Sequence, residues 1–562
     1  MPRMTGNRFI AEMLRDYGVT HVFQVPTAFF GVMREMEDMD IRRVVTHGEK
    51  AAAYMADGYA RASKRVGVCM AQNIGTANLG AGLADAYMGH SPVIAMTGAL
   101  PGEHRYRHAY QEYEHAPWYE SVTKSSVFID KVSRLPDALR QAFRDATSGA
   151  PGPVHLDIPD EACTTEADLD VIVEELHTSF PPFRPEPEGE RVREAARLIS
   201  QAQRPVIIAG GGVIASEAWG EVQELAEMLT IPVATTLNGK LTLPASHPLN
   251  VGVPGRYSAW CANQTVASAD LVIAIGTRLG GMATWDWRIP SPDMPTIQIG
   301  IDPSELGRNY PAQVALMGDA KACVRRLTEV LEPIAPREDR LSEVRDRVGR
   351  WREEYAPMVN SEASPMRPER ICREIAENLP DNAMVVSDTG HSGIWSGVMM
   401  PLENPGLNYI RCVGSLGWGL SASIGAKAAV PHRPVLCFTG DGGFWYHIAE
   451  LETALRHGIA PVVVVNDNRS LNQEKGPIER AYNGQPYGRA FDDLMMFRDT
   501  DLSKVAEAIG CYAERVEHPS EIGPAMERAF ASGRIAVLDM VSDIEAMGPV
   551  ARMSDVRATV TG

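Results

Sequence analysis

A glycine-rich turn that carries one carboxylate follows a strongly apolar segment in the last third of the chain. Residues 435–439 have the composition of a buried strand, and Gly440, Asp441, Gly442 and Gly443 come directly after them. Open α/β sheets bind ligands at the carboxyl ends of their strands, where this carboxylate would lie. Glycines let the backbone approach a phosphate closely, and the start of the next helix favours negative charge. A Gly-Asp-Gly sequence alone is more often a simple turn, so the neighbouring segments decide its interpretation.

A second polar side chain follows one strand–helix–strand step later. Residues 448–455 have helical periodicity, residues 461–465 form another apolar strand, and Asn468 lies 27 positions after Asp441. This connection returns the chain so that the two side chains lie at adjacent strand ends. Their oxygens are hard ligands that suit Mg²⁺ held between a protein and a diphosphate. Asp467, directly before Asn468, is the rival ligand.

Composition and charge exclude several classes of function. The chain has 562 residues, which suggests about three or four domains, and its net charge of −18 argues against nucleic acid and anionic lipid as partners. A small anionic ligand remains compatible with this charge. The eight cysteines are scattered without a Cys-x-x-Cys pair, which predicts neither a zinc site nor a disulfide framework. The apolar runs are too short to span a membrane and no signal-peptide segment is evident, so we expect a cytoplasmic protein.

Helices and strands alternate along the chain, which predicts parallel sheets covered by helices on both faces. We expect an α/β protein with three doubly wound parallel-sheet domains at residues 1–165, 190–335 and 362–545, followed by a C-terminal tail at 546–562. Acidic and proline-containing segments separate the domains, as is typical of exposed linkers.

Three further segments carry residues that could contact a ligand. Residues 46–61 place Glu49 at the start of a helix, where a carboxylate usually does no more than interact favourably with the helix dipole. Residues 411–420 (Arg-Cys-Val-Gly-Ser-Leu-Gly-Trp-Gly-Leu) form a glycine-rich turn, and residues 388–395 (Asp-Thr-Gly-His-Ser-Gly-Ile-Trp) follow a strand. Each segment is unremarkable alone, but their order relative to the Asp441 turn is specific.

In this order the segments resemble those of thiamine-diphosphate-dependent enzymes, most closely the acetohydroxyacid synthase, pyruvate oxidase and 2-hydroxyacyl-CoA lyase branch. The resemblance covers nearly the whole chain. It implies a pyrimidine-binding domain, a middle domain and a diphosphate-binding domain, in that order, with thiamine diphosphate and Mg²⁺ as cofactors. It also implies that each site lies between subunits, so the protein would be a homodimer at least and commonly a homotetramer.

The resemblance also implies roles for individual residues. Glu49 would hydrogen-bond a ring nitrogen of the aminopyrimidine and promote proton removal from the cofactor, which makes it the first catalytic candidate. Leu416 would wedge between the two rings of the cofactor. The residues implied in cofactor binding are Glu49, His391, Ser392, Gly414, Leu416, Gly440, Asp441, Gly442, Gly443 and Asn468. The implied metal ligands are Asp441, Asn468 and the backbone carbonyl of Ser470.

The substrate pocket matches the family less closely. Ala28 follows the first strand and would approach the reacting carbon, and Tyr110 and Gln111 resemble a segment on the acceptor side. Gln111 is therefore a catalytic candidate, together with His108; either His108 or the nearby His104 could protonate an alkoxide. Glu474 stands where decarboxylases of the family carry a proton-handling glutamate, which makes it a further candidate. Both His108 and Glu474 could instead be ordinary surface residues.

The expected reaction is carbon–carbon bond cleavage or formation on a 2-oxo acid or 2-hydroxyacyl substrate, by an acetolactate-synthase-like carboligase or by a lyase or decarboxylase. Asn472 and Gln473 favour a polar or hydroxylated substrate. The alternatives are a flavin-dependent 2-oxo acid oxidase of the pyruvate oxidase type and a non-catalytic protein that keeps the fold. The glycines at 210–212 could hold phosphates of FAD, ADP or CoA, but they lack the full Gly-x-Gly-x-x-Gly pattern and many family members bind no nucleotide there.

Overall fold

Three six-stranded parallel sheets, one in each predicted domain, form the framework of the protein. The computed structural model describes residues 2–484 and 489–553, so the end of the predicted C-terminal tail, 554–562, lies outside the described residues. The central strands of each sheet are buried, because helices pack on both faces. The predicted fold class is confirmed, whereas the predicted domain boundaries stay predictions.

The first domain contains a parallel sheet and a short antiparallel pair that joins its two ends. Its strands are β1 (Arg3–Thr5), β2 (His21–Gln24), β3 (Arg42–Val45), β4 (Gly67–Gln72), β5 (Val93–Ala99), β6 (Ser126–Phe128), β7 (Val154–Pro159) and β8 (Glu166–Asp168). Its helices are α1 (Gly6–Asp16), α2 (Phe30–Glu35), α3 (Glu49–Ser63), α4 (Gly75–Met88), α5 (Ala116–Tyr119), α6 (Leu135–Thr147) and α7 (Asp160–Thr164). The parallel strands lie in the order β3-β2-β4-β5-β7-β6.

The middle domain has the strand order found in dinucleotide-binding folds. Its strands are β9 (Pro205–Ala209), β10 (Val233–Thr235), β11 (Asn250–Gly252), β12 (Leu271–Ile275), β13 (Thr296–Gly300) and β14 (Val314–Met317). Its helices are α8 (Gly189–Gln201), α9 (Gly211–Ala215), α10 (Trp219–Leu229), α11 (Trp260–Ala267) and α12 (Ala320–Thr328), and α13 (Glu338–Val359) leads to the third domain. The order β11-β10-β9-β12-β13-β14 reverses direction between β9 and β12.

The third domain holds the remaining parallel sheet, in the order β16-β15-β17-β18-β20-β19. These strands are β15 (Met384–Ser387), β16 (Tyr409–Arg411), β17 (Val435–Gly440), β18 (Val462–Asp467), β19 (Tyr512–Val516) and β20 (Ala536–Val541). The helices are α14 (Pro368–Asn378), α15 (Gly390–Ile394), α16 (Trp418–Ala429), α17 (Asp441–His447), α18 (Glu450–His457), α19 (Lys475–Ala481), α20 (Arg489–Met495), α21 (Leu502–Ile509) and α22 (Pro519–Ala531).

The first and third domains share one topology. When the strands of each sheet are counted along the chain, both sheets have the order 2-1-3-4-6-5. The helix after the second strand is α3 in the first domain and α16 in the third, and these helices cross with their backbones in contact. A Cβ added to Gly58 would lie 2.1 Å from the Ala422 carbonyl oxygen, and one added to Gly425 would lie 1.9 Å from that of Met55. This approach requires glycine, because any other residue would place its Cβ inside the neighbouring backbone.

All eight cysteines are buried and unpaired. Among the described residues, no helix combines the length and the hydrophobicity needed to cross a bilayer. The expected cytoplasmic location stays a prediction.

Candidate active site

Asp441 and Asn468 meet at the carboxyl edge of the third sheet, as their positions predict. β17 ends at Gly440 and α17 begins at Asp441, whereas Asn468 directly follows the neighbouring strand β18. Both side chains accept a hydrogen bond from the backbone N–H of Ser470, at 2.8 Å to Asp441 Oδ2 and 3.1 Å to Asn468 Oδ1. Two oxygen atoms that could bind a hard metal ion are therefore buried side by side.

The surroundings of Asp441 favour a bound cation. Burial raises the pKa of Asp441 to about 6, although the backbone N–H groups of Gly442 and Ser470 oppose the shift. A cation beside the carboxylate would lower that pKa and restore the charged form.

Asp467, the rival ligand, lies between Asp441 and a buried ion pair. Arg515 Nη1 is 2.6 Å from Asp539 Oδ2 and 3.8 Å from Asp467 Oδ2. Burial, and then the negative charge of Asp441, raises the pKa of Asp467 to about 6, the same value to which burial raises the pKa of Asp441. Asp467 Oδ1 accepts from the Arg469 N–H at 3.0 Å, whereas Asp441 and Asn468 share the Ser470 N–H, so the hydrogen bonds group Asn468 with Asp441.

The glycines around Asp441 pack closely against neighbouring side chains. A Cβ added to Gly442 would lie 2.6 Å from Leu471 Cδ2. A Cβ added to Gly440 would lie 3.2 Å from Ser392 Oγ, so the two predicted diphosphate-binding segments are neighbours. A side chain in this turn would also fill the space in which a phosphate could approach the backbone.

A buried aspartate that the sequence analysis did not single out connects these segments. Asp388, directly after β15, accepts hydrogen bonds from the N–H groups of Gly417 and Gly419 and from the Thr439 hydroxyl, each at 3.1 Å. A Cβ added to Gly443 would lie 2.7 Å from Asp388 Oδ2. Burial raises the pKa of Asp388 to about 6, although these hydrogen-bond donors oppose the shift. Its position directly after a strand was the one signal for it in the sequence.

Several polar atoms near this edge are buried without a hydrogen-bond partner in the described part of the chain, among them His391 Nδ1, Ser470 Oγ and Asn472 Oδ1. Buried polar atoms are nearly always paired, so such a group points to a ligand or to water at the site. Burial also lowers the pKa of His391 to about 4, so its ring is neutral at pH 7. These atoms and the two oxygens of Asp441 and Asn468 fit a bound metal–phosphate group.

Glu49 begins α3 in the first domain, as predicted. Asn78 Nδ2 donates a hydrogen bond to Glu49 Oε2 at 3.2 Å, and a Cβ added to Gly75 would lie 2.6 Å from Oε1. Both contacts come from α4 and fix the direction of the carboxylate. The side chain of Glu49 is only half-buried, so a ligand can reach it.

Gly414 and Leu416 lie in the turn between β16 and α16, which packs against the first domain. Gly414 is exposed and Leu416 is half-buried. Gly417 adopts a φ of 86°, which glycine tolerates without strain, and this residue starts the helix. The N–H of Gly414 donates to Asp85 of the first domain at 3.0 Å. The turn is therefore held by a contact between the two predicted cofactor-binding domains.

Comparison with known proteins matches each of the three domains to a known domain family. Residues 4–117 match the thiamine pyrophosphate enzyme N-terminal TPP binding domain, residues 192–327 match the central domain, and residues 388–540 match the C-terminal TPP binding domain. The chain belongs to the thiamine pyrophosphate enzyme family.

Relatives of this thiamine pyrophosphate enzyme match almost its full length. A probable acetolactate synthase large subunit of Methanocaldococcus jannaschii is 34% identical over 560 residues, which cover 96% of this chain and 92% of the relative. The acetolactate synthase of Mycobacterium bovis is 31% identical, with 94% and 87% covered. The acetolactate synthase isozyme 3 large subunit of Escherichia coli is 28% identical, with 97% and 96% covered.

These matches confirm the predicted enzyme family and its cofactor. The protein is a thiamine-diphosphate-dependent enzyme with both TPP binding domains, and it is acetolactate-synthase-like. The flavin-dependent oxidase alternative is not favoured, because the relatives are named as synthases. The roles of the individual site residues stay predictions.

Two of the predicted substrate residues of this thiamine pyrophosphate enzyme, Ala28 and Gln111, are half-buried, and the others lie at the surface of the chain. Ala28 packs against the carboxyl end of β5. Tyr110 is 84% exposed, and His108 and Glu474 are also exposed. Gln111 has a φ of 61°, an uncommon conformation for a residue with a side chain and one that often marks functional loops. The described chain alone does not enclose these residues in one pocket.

Proposed function

We propose that this enzyme is an acetolactate-synthase-like carboligase or decarboxylase that acts on a small 2-oxo acid and requires Mg²⁺ with thiamine diphosphate. One observation carries the proposal: buried oxygens of Asp441 and Asn468 converge in one TPP binding domain, and Glu49 is held at a helix start in the other. The names of relatives that span almost the whole chain support the carboligase.

The third domain would hold the diphosphate end of the cofactor. When bound, thiamine diphosphate supplies a nucleophilic carbon that adds to the carbonyl group of the substrate. Asp441, Asn468 and the Ser470 carbonyl would hold Mg²⁺, whose charge offsets that of the diphosphate. Ser392, beside the Asp441 turn, and the neutral ring of His391 would hydrogen-bond the phosphate oxygens.

The first domain would act on the pyrimidine end. Glu49, at the start of α3, would accept a hydrogen bond from a ring nitrogen and share a proton with it. Leu416 would keep the two rings of the cofactor apart, and the backbone of Gly414 would bond the pyrimidine.

We propose that a second copy of the chain completes the site. The Glu49 carboxylate contacts Asn78 of its own domain, and large apolar side chains of that domain are exposed. These are Phe30 at 65%, Ile74 at 54% and Trp118 at 54%. A homodimer would cover such a surface, and a homotetramer would combine two dimers. The second copy would then enclose the candidates Ala28, His108, Tyr110, Gln111 and Glu474.

We propose no nucleotide role for the glycines of the middle domain, because the packing of two loops explains them. A Cβ added to Gly210 would lie 2.3 Å from the Gly276 carbonyl oxygen, and the Gly212 N–H donates to the same oxygen at 2.9 Å. An amide that a phosphate of FAD, ADP or CoA could use is thus already paired. Visible flavin absorbance in the purified protein would contradict this part of the proposal.

A donor screen tests the proposed function. The holoenzyme is incubated with pyruvate, other 2-oxo acids, oxalyl-CoA and 2-hydroxyacyl-CoA, and CO₂, aldehyde and ketol products are recorded. We expect consumption of a 2-oxo acid with release of CO₂ and formation of a ketol or an aldehyde. Turnover of the CoA esters alone would contradict the 2-oxo acid assignment, and the absence of any turnover would contradict the function itself.

Gln473 is expected to contribute to substrate selectivity. Its Nε2 donates to the hydroxyl of Tyr257 in the middle domain at 3.0 Å, and its Oε1 would lie 3.3 Å from a Cβ added to Gly390. Gln473→Leu removes a polar group beside the proposed site. For a hydroxylated 2-oxo acid, kcat/KM should fall about 3- to 10-fold relative to the analogue without the hydroxyl, the effect of about one hydrogen bond.

Tyr257→Phe is the control for this selectivity prediction. It removes the hydroxyl that orients Gln473 but keeps the amide, so selectivity should shift in the same direction by a smaller factor. An equal loss for both substrates in Gln473→Leu would show that the residue does not distinguish them.

A further inference from the structure

We propose that Asp85 and Glu450 are reciprocal positioning residues: each belongs to one TPP binding domain and fixes the cofactor-contacting segment of the other. The inference rests on the proposed function, because the proposed roles of Glu49 and Leu416 give these segments their importance. Both carboxylates act through backbone N–H groups across the interface of the first and third domains.

The two carboxylates occupy equivalent places in the shared topology of these domains. Asp85 lies on α4, between the third and fourth strands of the first sheet, and Glu450 begins α18, between the third and fourth strands of the third sheet. Their partners are equivalent too, because each is the segment between the second strand and the helix that follows it. The segment in the first domain ends at Glu49, and the one in the third domain contains Leu416.

Asp85 is fully buried and accepts hydrogen bonds from three successive backbone N–H groups of the third domain. Its Oδ2 accepts from Gly414 and Ser415 at 3.0 Å each and from Val413 at 3.1 Å. Its Oδ1 accepts from Val413 at 2.9 Å. Hydrogen bonds to a carboxylate are stronger than those between neutral groups, so this contact fixes the backbone immediately before Leu416.

Arg61 on α3 offsets the buried charge of Asp85. Its Nη2 lies 3.3 Å from Asp85 Oδ1, and its Nε and Nη2 donate to the two oxygens of Asp57 at 2.7 and 2.8 Å. Its Nη1 donates to the carbonyl oxygen of Arg411, the last residue of β16, at 2.8 Å. One arginine thus joins α3, α4 and β16, and the pairing reduces the cost of burying the carboxylate.

Glu450 makes the corresponding contact in the opposite direction. It is 2% exposed; its Oε1 accepts from the backbone N–H of His47 at 3.1 Å, and its Oε2 accepts from the Thr453 hydroxyl at 2.7 Å. Burial raises the pKa of Glu450, and these donors oppose the shift. His47 lies two residues before Glu49, so the contact fixes the turn from β3 into α3.

Loss of either contact should move a segment without removing any group that contacts the cofactor. The N–H groups of residues 413–415 precede α16 and lie outside its hydrogen-bond pattern, so Asp85 supplies their acceptors. A misplacement of about 1 Å at an active site can cost about 100-fold in rate. A purely structural residue would instead lower stability without a matching change in cofactor affinity.

The first test measures amide hydrogen exchange in cofactor-free Asp85→Asn and wild-type protein. Asparagine keeps the shape of the side chain but turns an NH₂ group toward amides that need an acceptor. We expect exchange at residues 413–415 to be about tenfold faster or more, and the Kd for thiamine diphosphate to rise by a similar factor, as loss of one charge-assisted hydrogen bond predicts.

Asp57→Asn is the matched control for this variant. It removes a carboxylate from the same Arg61 but no acceptor of the 413–415 amides. The Tm should fall in both variants, whereas exchange at 413–415 should be accelerated in Asp85→Asn alone.

The second test uses Glu450, for which a conservative substitution should preserve the contact. Glu450→Gln keeps a carbonyl oxygen for the His47 N–H, so exchange in a peptide spanning 45–49 and kcat should stay near the wild-type values. Glu450→Ala removes the acceptor, so exchange should accelerate and kcat should fall more than KM rises. Glu452→Gln is the control, because Glu452 contacts the His47 ring at 2.8 Å rather than its backbone N–H.

Each outcome supports or overturns the proposal. The role of Asp85 would be overturned if Asp85→Asn showed wild-type exchange at 413–415 and wild-type cofactor affinity. It would also be overturned if exchange at 413–415 were accelerated equally in Asp57→Asn. Equal behaviour of Glu450→Gln and Glu450→Ala would overturn that of Glu450, and this pair decides the proposal even where Asp85→Asn does not fold. If the wild-type protein bound no thiamine diphosphate, the proposed function would fail instead, and exchange in the cofactor-free variants would still test the positioning contacts.

Discussion

Glu49→Gln is expected to lower kcat by roughly 100- to 10,000-fold, the range that a positioned acid–base group contributes. Glutamine has the same shape and can still accept the hydrogen bond that Asn78 Nδ2 donates at 3.2 Å. It lacks the negative charge of the carboxylate, so it cannot share a proton with a ring nitrogen as the carboxylate would. The measurement is kcat and KM for the 2-oxo acid identified by the donor screen, with thiamine diphosphate and Mg²⁺ saturating.

The affinity of Glu49→Gln for thiamine diphosphate shows whether the substitution affects activation of the cofactor or its binding. Because Glu49 is proposed to activate the cofactor and the third domain to anchor it, the Kd for thiamine diphosphate should change by less than about tenfold in Glu49→Gln. Glu37→Gln, which removes an exposed carboxylate of the same domain, is the control and should retain wild-type turnover. Unchanged turnover in Glu49→Gln would refute the proposed role of this residue.

The meeting of Asp441 and Asn468 could be predicted because its cause is local in the sequence. The segment contains a strand, a glycine-rich turn, a helix and a second strand. Because β17 and β18 are parallel neighbours, the residues that follow them must lie close together at one edge of the sheet. The choice between Asn468 and Asp467 was harder to predict. Arg515 on β19 lies 3.8 Å from Asp467 and pairs with Asp539 on β20, and the local sequence does not show that these strands follow β18 in the sheet.

The residues that join the domains could not be predicted in this way. Asp85 and Val413 are separated by 328 positions, and Asp85 is the charged residue of a helix that otherwise contains mostly small and apolar residues. Its role as an acceptor exists only because α3 and α16 approach closely at Gly58 and Gly425. That approach is a property of the packed domains, and no local periodicity encodes it.

The substrate pocket could not be predicted from the sequence for another physical reason. The sequence indicates Tyr110 and Glu474 by resemblance, and both side chains are exposed in the single chain. A pocket formed between two copies of a chain depends on the complementarity of two surfaces, which the pattern of one segment does not describe.

Asp441→Ala is expected to remove the metal-dependent part of cofactor binding. The carboxylate accepts hydrogen bonds from the N–H groups of Gly442 at 2.7 Å and Ser470 at 2.8 Å, so alanine removes both a proposed ligand and the group that holds the turn. Loss of a group that merely orients a ligand costs about 10- to 100-fold in metal affinity, and loss of the ligand should cost more. The Kd for thiamine diphosphate with Mg²⁺, measured by calorimetry, should therefore rise about 100-fold or more and become insensitive to EDTA.

Asp467→Asn tests whether Asn468 or the neighbouring Asp467 is the metal ligand. Asp467 Oδ1 accepts from the Arg469 N–H at 3.0 Å, and the carbonyl oxygen of an asparagine can accept the same hydrogen bond. Magnesium-dependent binding should stay within about threefold of wild type in Asp467→Asn, since the hydrogen bond is preserved, and should be lost in Asn468→Ala. The opposite pattern would make Asp467 the ligand. Wild-type affinity that EDTA left unchanged would contradict a metal site at this edge of the sheet, whichever residue lay nearest to it.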